Sequence, residues 1–325
     1  MNLGCASAIL DHVLRGLALN RHPGWNFPGN FLQLSFDEIE PGRSTLSLAT
    51  GPHTSTSEDS LELAAIAVLA DTGMAAALRK QMGRAARMAT VQMSLSFTDA
   101  PVTGLVEAFS TAEGLISGTA APQLYTRTSI QSGGQVCCTG SASFLFLGEK
   151  PDLAAMRMAR RGAPGFDAPP LAAAELDPSE AAVLERARQT LAAGPEDFLA
   201  RFWGMVPQAG AHAASCELQN GLHVGNRVGH TQGGIVLALA AHTCRAAAGE
   251  EWALASISGW YLAPGRGPAL RATAAVIHRG SSTAACTCEI RDEEGRLIMH
   301  AASSHVRRAQ ARTTNAQRPS HVASA

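Results

Sequence analysis

Two neighbouring glycines and one acid are the residues of this chain whose types and surroundings best suit chemistry. Gly233 and Gly234 directly precede an unbroken apolar run that is typical of a buried helix. A helix that begins on glycines leaves its first backbone N–H groups unpaired, and a ligand can approach them closely because glycine has no Cβ. The positive end of the helix dipole also attracts negative charge. The sequence therefore predicts an anion or oxyanion site at these glycines.

The acid is Asp71, which lies in an earlier apolar helix predicted for residues 61–80. Desolvation in such a helix should raise the pKa of the carboxyl group, and a raised pKa favours a role as general base. Two structural readings compete with this one. Asp71 could cap a local turn or pair with Arg79 or Lys80, and the two glycines could serve only close helix-to-sheet packing.

The two stretches occupy corresponding positions of an internal repeat. Residues 69–71 align with residues 239–241 at an offset of 170, and residues 99–101 align with residues 262–264 at an offset of 163. Each copy places a short helix and a hairpin before a central apolar helix, and strands follow that helix. We therefore expect an antiparallel sheet wrapped around one helix in each copy.

The alternation of apolar and polar residues places the strands, and capping residues place a connecting helix. After the first central helix we expect a meander of about four strands, at residues 89–97, 104–111, 123–131 and 135–147. The strands predicted for the second copy are residues 212–218, 221–225, 255–262, 269–278, 282–291 and 296–306. Asn220-Gly221 is read as a hairpin turn. Asp177, Pro178 and Glu180 form the start signal of a helix.

Composition and these boundaries predict four segments. They are an N-terminal domain (1–147), a linker (148–176), a C-terminal domain (177–308) and a polar tail expected to be disordered (309–325). An apolar content of 46% supports a substantial core, and a formal net charge of -1 gives no general attraction to nucleic acid or anionic membrane. No signal peptide or membrane-spanning run is recognisable, which predicts a cytoplasmic protein.

The seven cysteines are odd in number and scattered, which predicts reduced thiols and not a disulfide framework. Cys286 and Cys288 with His300 and His305 could be imagined as metal ligands, but such pairs on strands are usually only neighbours. We therefore predict no metal and no other cofactor.

The central helices resemble those of the hotdog-fold thioesterases of the phenylacetate-pathway type. The family motif is H-G-G followed by an acid nine positions after the His, in an L-x-D-T/S context. Here residues 69–72 (LADT) match the acid end, while residues 62–64 (ELA) stand where H-G-G is expected. In the second copy, residues 232–234 (QGG) match the glycine end with Gln for His, and Ala241 replaces the acid.

This resemblance implies an α+β, pseudo-dimeric fold of two hotdog domains and one composite site that hydrolyses an acyl-CoA thioester. Asp71 would be the base that activates water, or the nucleophile, and Gly233 would supply the oxyanion N–H. Asn226, six residues before the motif, matches a carbonyl-contacting Asn of some members. The remaining candidate binding residues are Gln232, Gly234 and Thr90, which matches a family hydroxyl that helps to hold water. Glutamine cannot shuttle a proton, but the route through Asp71 and water does not need it to.

The opposite location would combine Leu63 and Ala64 with Ala241, and without an acid or glycines it is expected to be inert or only a binding groove. Glu62 is read as a solvated helix start, and His230 and His242 as structural histidines. The candidate cations for coenzyme A phosphates are Arg79, Lys80, Arg84, Arg87 and Arg127.

Two other functions and several properties remain open at this stage. The chain could be a non-catalytic acyl-CoA binding or regulatory protein, or a hotdog hydratase or dehydratase, although the differently spaced motif of the latter is not found. The acyl group is not specified by the sequence. Association of the tandem chain as a homodimer is also open, since hotdog sheets commonly associate.

Overall fold

The computed structural model describes residues 3–83, 86–149 and 158–309, and its helices and strands alternate in two similar sets. The helices are α1 (Leu3–Asn20), α2 (Phe27–Phe31), α3 (Leu63–Met82), α4 (Pro178–Ala192), α5 (Phe198–Phe202) and α6 (Gly233–Ala248), with a 3₁₀ turn at Ala173–Glu175. The strands are β1 (Ser35–Glu40), β2 (Arg43–Ala49), β3 (Ala86–Phe97), β4 (Leu105–Ile116), β5 (Gln123–Ser132), β6 (Gln135–Glu149), β7 (Gln208–Ala209), β8 (Ala213–Gln219), β9 (Trp252–Tyr261), β10 (Ala269–Arg279), β11 (Thr283–Asp292) and β12 (Leu297–Arg307).

The described strands join in one antiparallel sheet, in the order β1-β2-β4-β5-β6-β3-β9-β12-β11-β10-β8-β7. The N-terminal half supplies the first six strands and the C-terminal half the last six. They meet where β3 pairs with β9, and the hydroxyls of Ser94 and Ser258 lie 2.7 Å apart across this seam. The predicted strands after α3 are present, but the predicted four-strand meander is wrong. Only β4, β5 and β6 form a meander, because β3 pairs with β6 and β9.

The long helices α3 and α6 pack side by side at the centre of the molecule. Both are buried on nearly every side, as their apolar composition predicts. Their closest approach is at Gly234, where a Cβ would lie only 2.5 Å from the carbonyl oxygen of Ala67. A residue with any side chain cannot occupy position 234 unless the helices move apart.

Short aromatic helices close the joint between the halves. The rings of Phe27 and Phe31 in α2 pack in tilted or edge-on geometry against those of Phe198 and Phe202 in α5, with centroids 5.5 to 6.4 Å apart. Pro28, Gly29 and Asn30 are residue types that are common in turns, but here they are helical. Asn26 caps α2 by accepting the N–H of Gly29, and proline is tolerated in a first helical turn because its missing N–H has no partner there.

The predicted strand at residues 221–225 is also wrong. β8 pairs with β7 and β10, and residues 220–232 form a loop that leads into α6. Backbone bonds inside the loop, such as Val224 N–H to the Gly221 carbonyl, replace a ladder. The side chains of His223 and Val224 are both buried, which a strand alternating towards solvent would not allow.

The predictions for the start of α4 and for the cysteines are met, whereas parts of the predicted linker and tail lie outside the described residues. Asp177 caps α4 with the predicted capping box to Glu180, and the cysteines are unpaired and mostly buried. Residues 150–157 of the predicted linker and 310–325 of the predicted tail lie outside the described residues. Among the helices described, none is both long and apolar enough to cross a membrane.

Acid should destabilise this fold through its buried histidines. Burial lowers the pKa of His223 to about 3, and the unfolded side chain titrates near 6.5. The unfolded state therefore binds a proton that the native state rejects once the pH falls below about 6.5, at a cost of about 1.4 kcal/mol per pH unit. In urea unfolding between pH 7.5 and pH 5, we expect His223→Gln to lose stability less steeply than wild type. His278→Gln, at an exposed position, is the matched control, and equal slopes for His223→Gln and wild type would contradict this assignment.

Candidate active site

Asp71 lies in the first half of α3, with its carboxylate buried against the start of α6. Thr90 on β3 donates its hydroxyl to Oδ1 at 2.9 Å, and Gln232 donates its amide Nε2 to Oδ2 at 2.7 Å. The backbone N–H of Gly234 is a third donor to the same carboxylate. Donors from both halves of the chain therefore converge on one acid. The readings in which Asp71 caps a local turn or pairs with Arg79 or Lys80 are wrong.

The surroundings raise the pKa of Asp71 to about 6. Burial is the main cause and raises it, whereas the bonds from Thr90, the Gly234 N–H and Gln232 lower it by a smaller total amount. The upward direction is the one expected from the apolar helix. A carboxylate with this pKa is mostly ionised at neutral pH and is still basic enough to take a proton from water.

Gln232 explains how glutamine can stand where the family motif has histidine. Its side-chain oxygen accepts the N–H of Ile235 at 3.0 Å and so caps α6, while its amide nitrogen donates to Asp71. Both ends of the amide are thereby fixed. Gln232 holds the helix start and the acid together, and neither task requires a titrating group.

The two glycines have different places in this arrangement. Gly233 lies beside the acid, where a Cβ would be 3.0 Å from Asp71 Oδ2 and 3.3 Å from the Thr90 hydroxyl. Its carbonyl accepts the hydroxyl of Tyr261 at 2.8 Å. At the first position of α6, its N–H has no intrahelical partner. Because the Gly234 N–H is directed to Asp71, the Gly233 N–H is the one left for a ligand.

A cavity of about 370 Å³ opens beside these groups. Its lining includes all three candidate catalytic residues, together with Gln232 and Thr90. Gly234 is not among the lining residues, because it packs against α3. The side-chain oxygen of Asn226 accepts the N–H groups of Val228 and His230, both at 3.0 Å, so only its amide nitrogen remains to donate to a ligand. The predicted site residues are thus brought together.

Other lining residues had no signal in the sequence. Trp25 and Asn26 come from the N-terminal segment, and Tyr261 ends β9. Arg227 fixes this segment over the cavity by donating to the carbonyls of Asn20, His22, Gly24 and Trp25. Only Tyr261 could have been suspected, because it directly precedes the repeat match at residues 262–264.

Comparisons with known proteins agree with this architecture. The family model described as the thioesterase superfamily matches residues 233–299, beginning at the first glycine of α6. Over these residues the chain is similar to the thioesterase superfamily, and its architecture is that of a hotdog fold. No curated protein matches the chain.

Solved structures resemble this chain over most of its length. A provisionally named thioesterase from Novosphingobium aromaticivorans DSM 12444 is 17% identical with a TM-score of 0.53, over 85% of this chain and 99% of that one. A provisionally named oleoyl thioesterase from Lactobacillus plantarum is 11% identical with a TM-score of 0.52, over 83% and 98%. A hot dog fold protein from Alicyclobacillus acidocaldarius is 10% identical with a TM-score of 0.51, over 90% and 99%. Likenesses at these identities establish the fold.

Exposed cations border the cavity. Arg87 lines the cavity, and so does His230, whose Nε2 accepts the Nε–H of Arg266 at 2.8 Å. Burial is the main cause that lowers the pKa of His230, with Arg266 and Arg87 adding to it. We call Arg87 and Arg266 the cationic rim. Arg266 was missed from the sequence because its position follows from the fold of the loop after β9.

The other residues predicted to bind coenzyme A phosphates lie in different places. Arg79 also lines the cavity and, unlike Arg87, is half-buried. Lys80 is exposed and donates to the Ile39 carbonyl, and Arg127 lines a separate groove with residues of β3 to β6. Arg84 lies outside the described residues.

The location opposite the site holds a different pair. Glu62, at the position equivalent to Gln232, caps α3, and its carboxylate lies 2.7 Å from His242 Nε2, although the ring is not aligned for a straight hydrogen bond. Glu62 is only 2% exposed, so its reading as a solvated helix start is wrong, and so is the expectation that this location holds no acid. Burial alone would raise the pKa of Glu62, but His242 and the Ala64 N–H together lower it.

Thr90→Val should shift the titration of Asp71. The hydroxyl of Thr90 stabilises the ionised carboxylate, so its removal should raise the pKa of Asp71 from about 6 by about one unit. The acid limb of the pH–rate profile should move to higher pH by the same amount. Ser96→Ala, further along β3, is the matched control. An unmoved limb in Thr90→Val would mean that Asp71 does not govern the profile.

Proposed function

We propose that this protein hydrolyses acyl-CoA at one composite site between two hotdog domains, residues 1–147 and 177–308, that form a pseudo-dimer. The observation that carries the proposal is the convergence of Thr90, Gln232 and the Gly234 N–H on Asp71 beside a 370 Å³ cavity. The acid comes from one domain and the helix start from the other. Neither domain alone contains both.

The proposed chemistry uses the start of α6 from the C-terminal domain and Asp71 from the N-terminal domain. The thioester carbonyl oxygen accepts the N–H of Gly233 and the amide of Asn226, at the positive end of α6. One oxyanion donor of this kind is typically worth about 2.7–4 kcal/mol in the transition state. Asp71 takes a proton from water as the water oxygen bonds to the carbonyl carbon. The tetrahedral intermediate then expels the thiolate, which recovers the proton from Asp71.

The hydrogen bonds of Asp71 favour the base over the nucleophile. Both carboxylate oxygens already accept a hydrogen bond, from Thr90 and Gln232, and this orients the carboxylate beside Gly233. A water held near that position can be deprotonated without moving the acid. Direct attack by an oxygen of Asp71 would require the carboxylate to move to the carbonyl carbon and so to stretch these bonds.

The cationic rim provides a place for the phosphates of coenzyme A. Arg87 and Arg266 are exposed, so their guanidinium groups can bind phosphate without the desolvation cost of a buried ion pair. The phosphates would remain near solvent while the acyl group enters the cavity. No proposed step calls for a metal or a redox cofactor.

The test is release of free thiol from short, medium and aryl acyl-CoAs. A blank without substrate is required because the protein has seven cysteines of its own. Turnover that saturates with one acyl class supports the proposal. Binding of acyl-CoA without turnover would overturn it in favour of a non-catalytic binding protein, and hydration of enoyl-CoA without thiol release would indicate a hydratase.

A further inference from the structure

Of the three arginines that line the cavity among the described residues, Arg79 is the one that is not exposed. Asp71, Ala75 and Arg79 follow each other at four-residue intervals on α3, and all three line the cavity. This spacing places them on the same face of the helix. The cavity therefore has the acid at one position along α3 and a guanidinium two turns further on.

The guanidinium of Arg79 has few protein partners. Nη1 donates to the carbonyl of Ala86 at 3.3 Å, and the group lies 5.9 Å from the centre of the Trp25 ring. Its Nε is buried and, within the described part of the chain, has no hydrogen-bond partner. Arg79 takes part in none of the ion pairs found among the described residues, and Asp71 is the only acid in the cavity lining.

A cation in this situation requires a negative partner. Burial lowers the pKa of Arg79 to about 10, so the side chain is charged at neutral pH. A buried charge without a counter-charge is costly, and the described residues supply no counter-charge to Arg79. Guanidinium groups bind carboxylates through paired, directed hydrogen bonds. The missing partner is therefore expected to arrive with the ligand.

The path from Asp71 to Arg79 is apolar. Thr90 contacts Asp71 at one end and Ala86 contacts Arg79 at the other, so β3 runs alongside this part of α3. Apart from Thr72 beside the acid and the exposed Arg87, the cavity between these contacts is lined by Ala75 of α3 and by Met88 and Ala89 of β3. Eight residues of helix span about 12 Å. A ligand that fits has an apolar middle and an anionic end.

We infer that the acyl group itself ends in a carboxylate, and that Arg79 binds this carboxylate while the thioester carbonyl lies at Gly233. The substrate class is then the mono-CoA thioesters of dicarboxylic acids. This inference rests on the proposed function. A coenzyme A phosphate offers related anionic chemistry, but phosphates are better served by the exposed cationic rim than by the half-buried guanidinium of Arg79, which lies against the Trp25 ring.

The experiment compares matched acyl groups with and without the terminal carboxylate. Adipyl is paired with hexanoyl and suberyl with octanoyl, each as the CoA thioester and as the phosphate-free N-acetylcysteamine thioester. Wild type should prefer the carboxylated member by about 10- to 100-fold in kcat/KM. Arg79→Met should abolish that preference with both carriers and leave the plain acyl thioesters within a few-fold of wild type. Arg79→Lys, which retains charge, should restore part of the preference.

Each other result would overturn the inference. A loss in Arg79→Met that occurs with CoA thioesters but not with N-acetylcysteamine thioesters would assign Arg79 to phosphate. An equal loss for plain and carboxylated members would assign it a structural role. No preference in wild type would exclude the carboxylate altogether.

Failure of the proposed hydrolysis would be seen separately. Binding of the same pairs is measured by calorimetry, with the Asp71→Asn protein if wild type turns them over and with wild type if it does not. Tighter binding of the carboxylated members without turnover would overturn the proposed hydrolysis, but it would support carboxylate binding by Arg79. Equal binding of both members would remove that assignment.

Discussion

Asp71→Asn should lower kcat for acyl-CoA hydrolysis by about 10²- to 10⁴-fold while the protein stays folded. The amide has nearly the shape of the carboxylate and can keep the contact with Thr90, but it cannot accept a proton from water. Wild-type kcat/KM should rise with pH through about 6, because the base must be ionised and its pKa is about 6. The variant should lack this limb. Thiol release from pH 5 to 8 measures both effects.

Asp11→Asn is the control, since Asp11 is an exposed acid on α1. Equal activity of Asp71→Asn and wild type would show that the acid is not the base. A single turnover in heavy-oxygen water separates the two roles of Asp71. A base delivers the heavy oxygen to the acyl product in the first turnover, whereas a nucleophile first delivers its own carboxylate oxygen.

Gly234→Ala should destabilise the whole molecule. The new Cβ would lie 2.5 Å from the Ala67 carbonyl oxygen and 2.7 Å from the Val68 Cα, and neither backbone atom can turn aside like a flexible side chain. Forcing the two central helices apart should cost about 1–3 kcal/mol of unfolding free energy, or more, because both are tightly packed. Urea unfolding at neutral pH measures this loss.

Gly233→Ala is the matched comparison, one residue away on the same helix. Its Cβ would meet the Asp71 carboxylate and the Thr90 hydroxyl at 3.0 and 3.3 Å, which are side-chain atoms of the candidate site. We expect this variant to lose turnover and to keep most of its stability. If Gly233→Ala unfolds as readily as Gly234→Ala, or if Gly234→Ala is as stable as wild type, the two glycines do not have the separate roles assigned here.

The sequence predicts the parts of this fold that repeat locally. The offset of 170 residues aligns Asp71 with Ala241, and it alone predicts that the acid and the glycines lie on equivalent helices. It does not predict that β3 pairs with β9, because that pairing depends on how the two halves meet. α2 was missed because Pro28 is as frequent in turns as at helix starts.

The site was predictable where side chains lie on the central helices, and less so elsewhere. Trp25 lines the cavity and Arg266 contacts His230 at its border. Both lie on loops whose paths follow from tertiary contacts, such as those made by Arg227. The opposite location was misread for a different reason. Comparison with a motif registers the loss of H-G-G but not the buried pair that Glu62 and His242 form in its place.

The pairing of Gln232 with Asp71, and of Glu62 with His242, gives each half a preference for the other half over a copy of itself. Two N-terminal halves joined in the same way would bring Glu62 against Asp71 at both junctions, and two buried carboxylates repel each other. Two C-terminal halves would leave Gln232 facing Ala241 and His242, without any acid. The halves, expressed as separate chains, are therefore expected to assemble as a heterodimer, with charge deciding which partner is accepted.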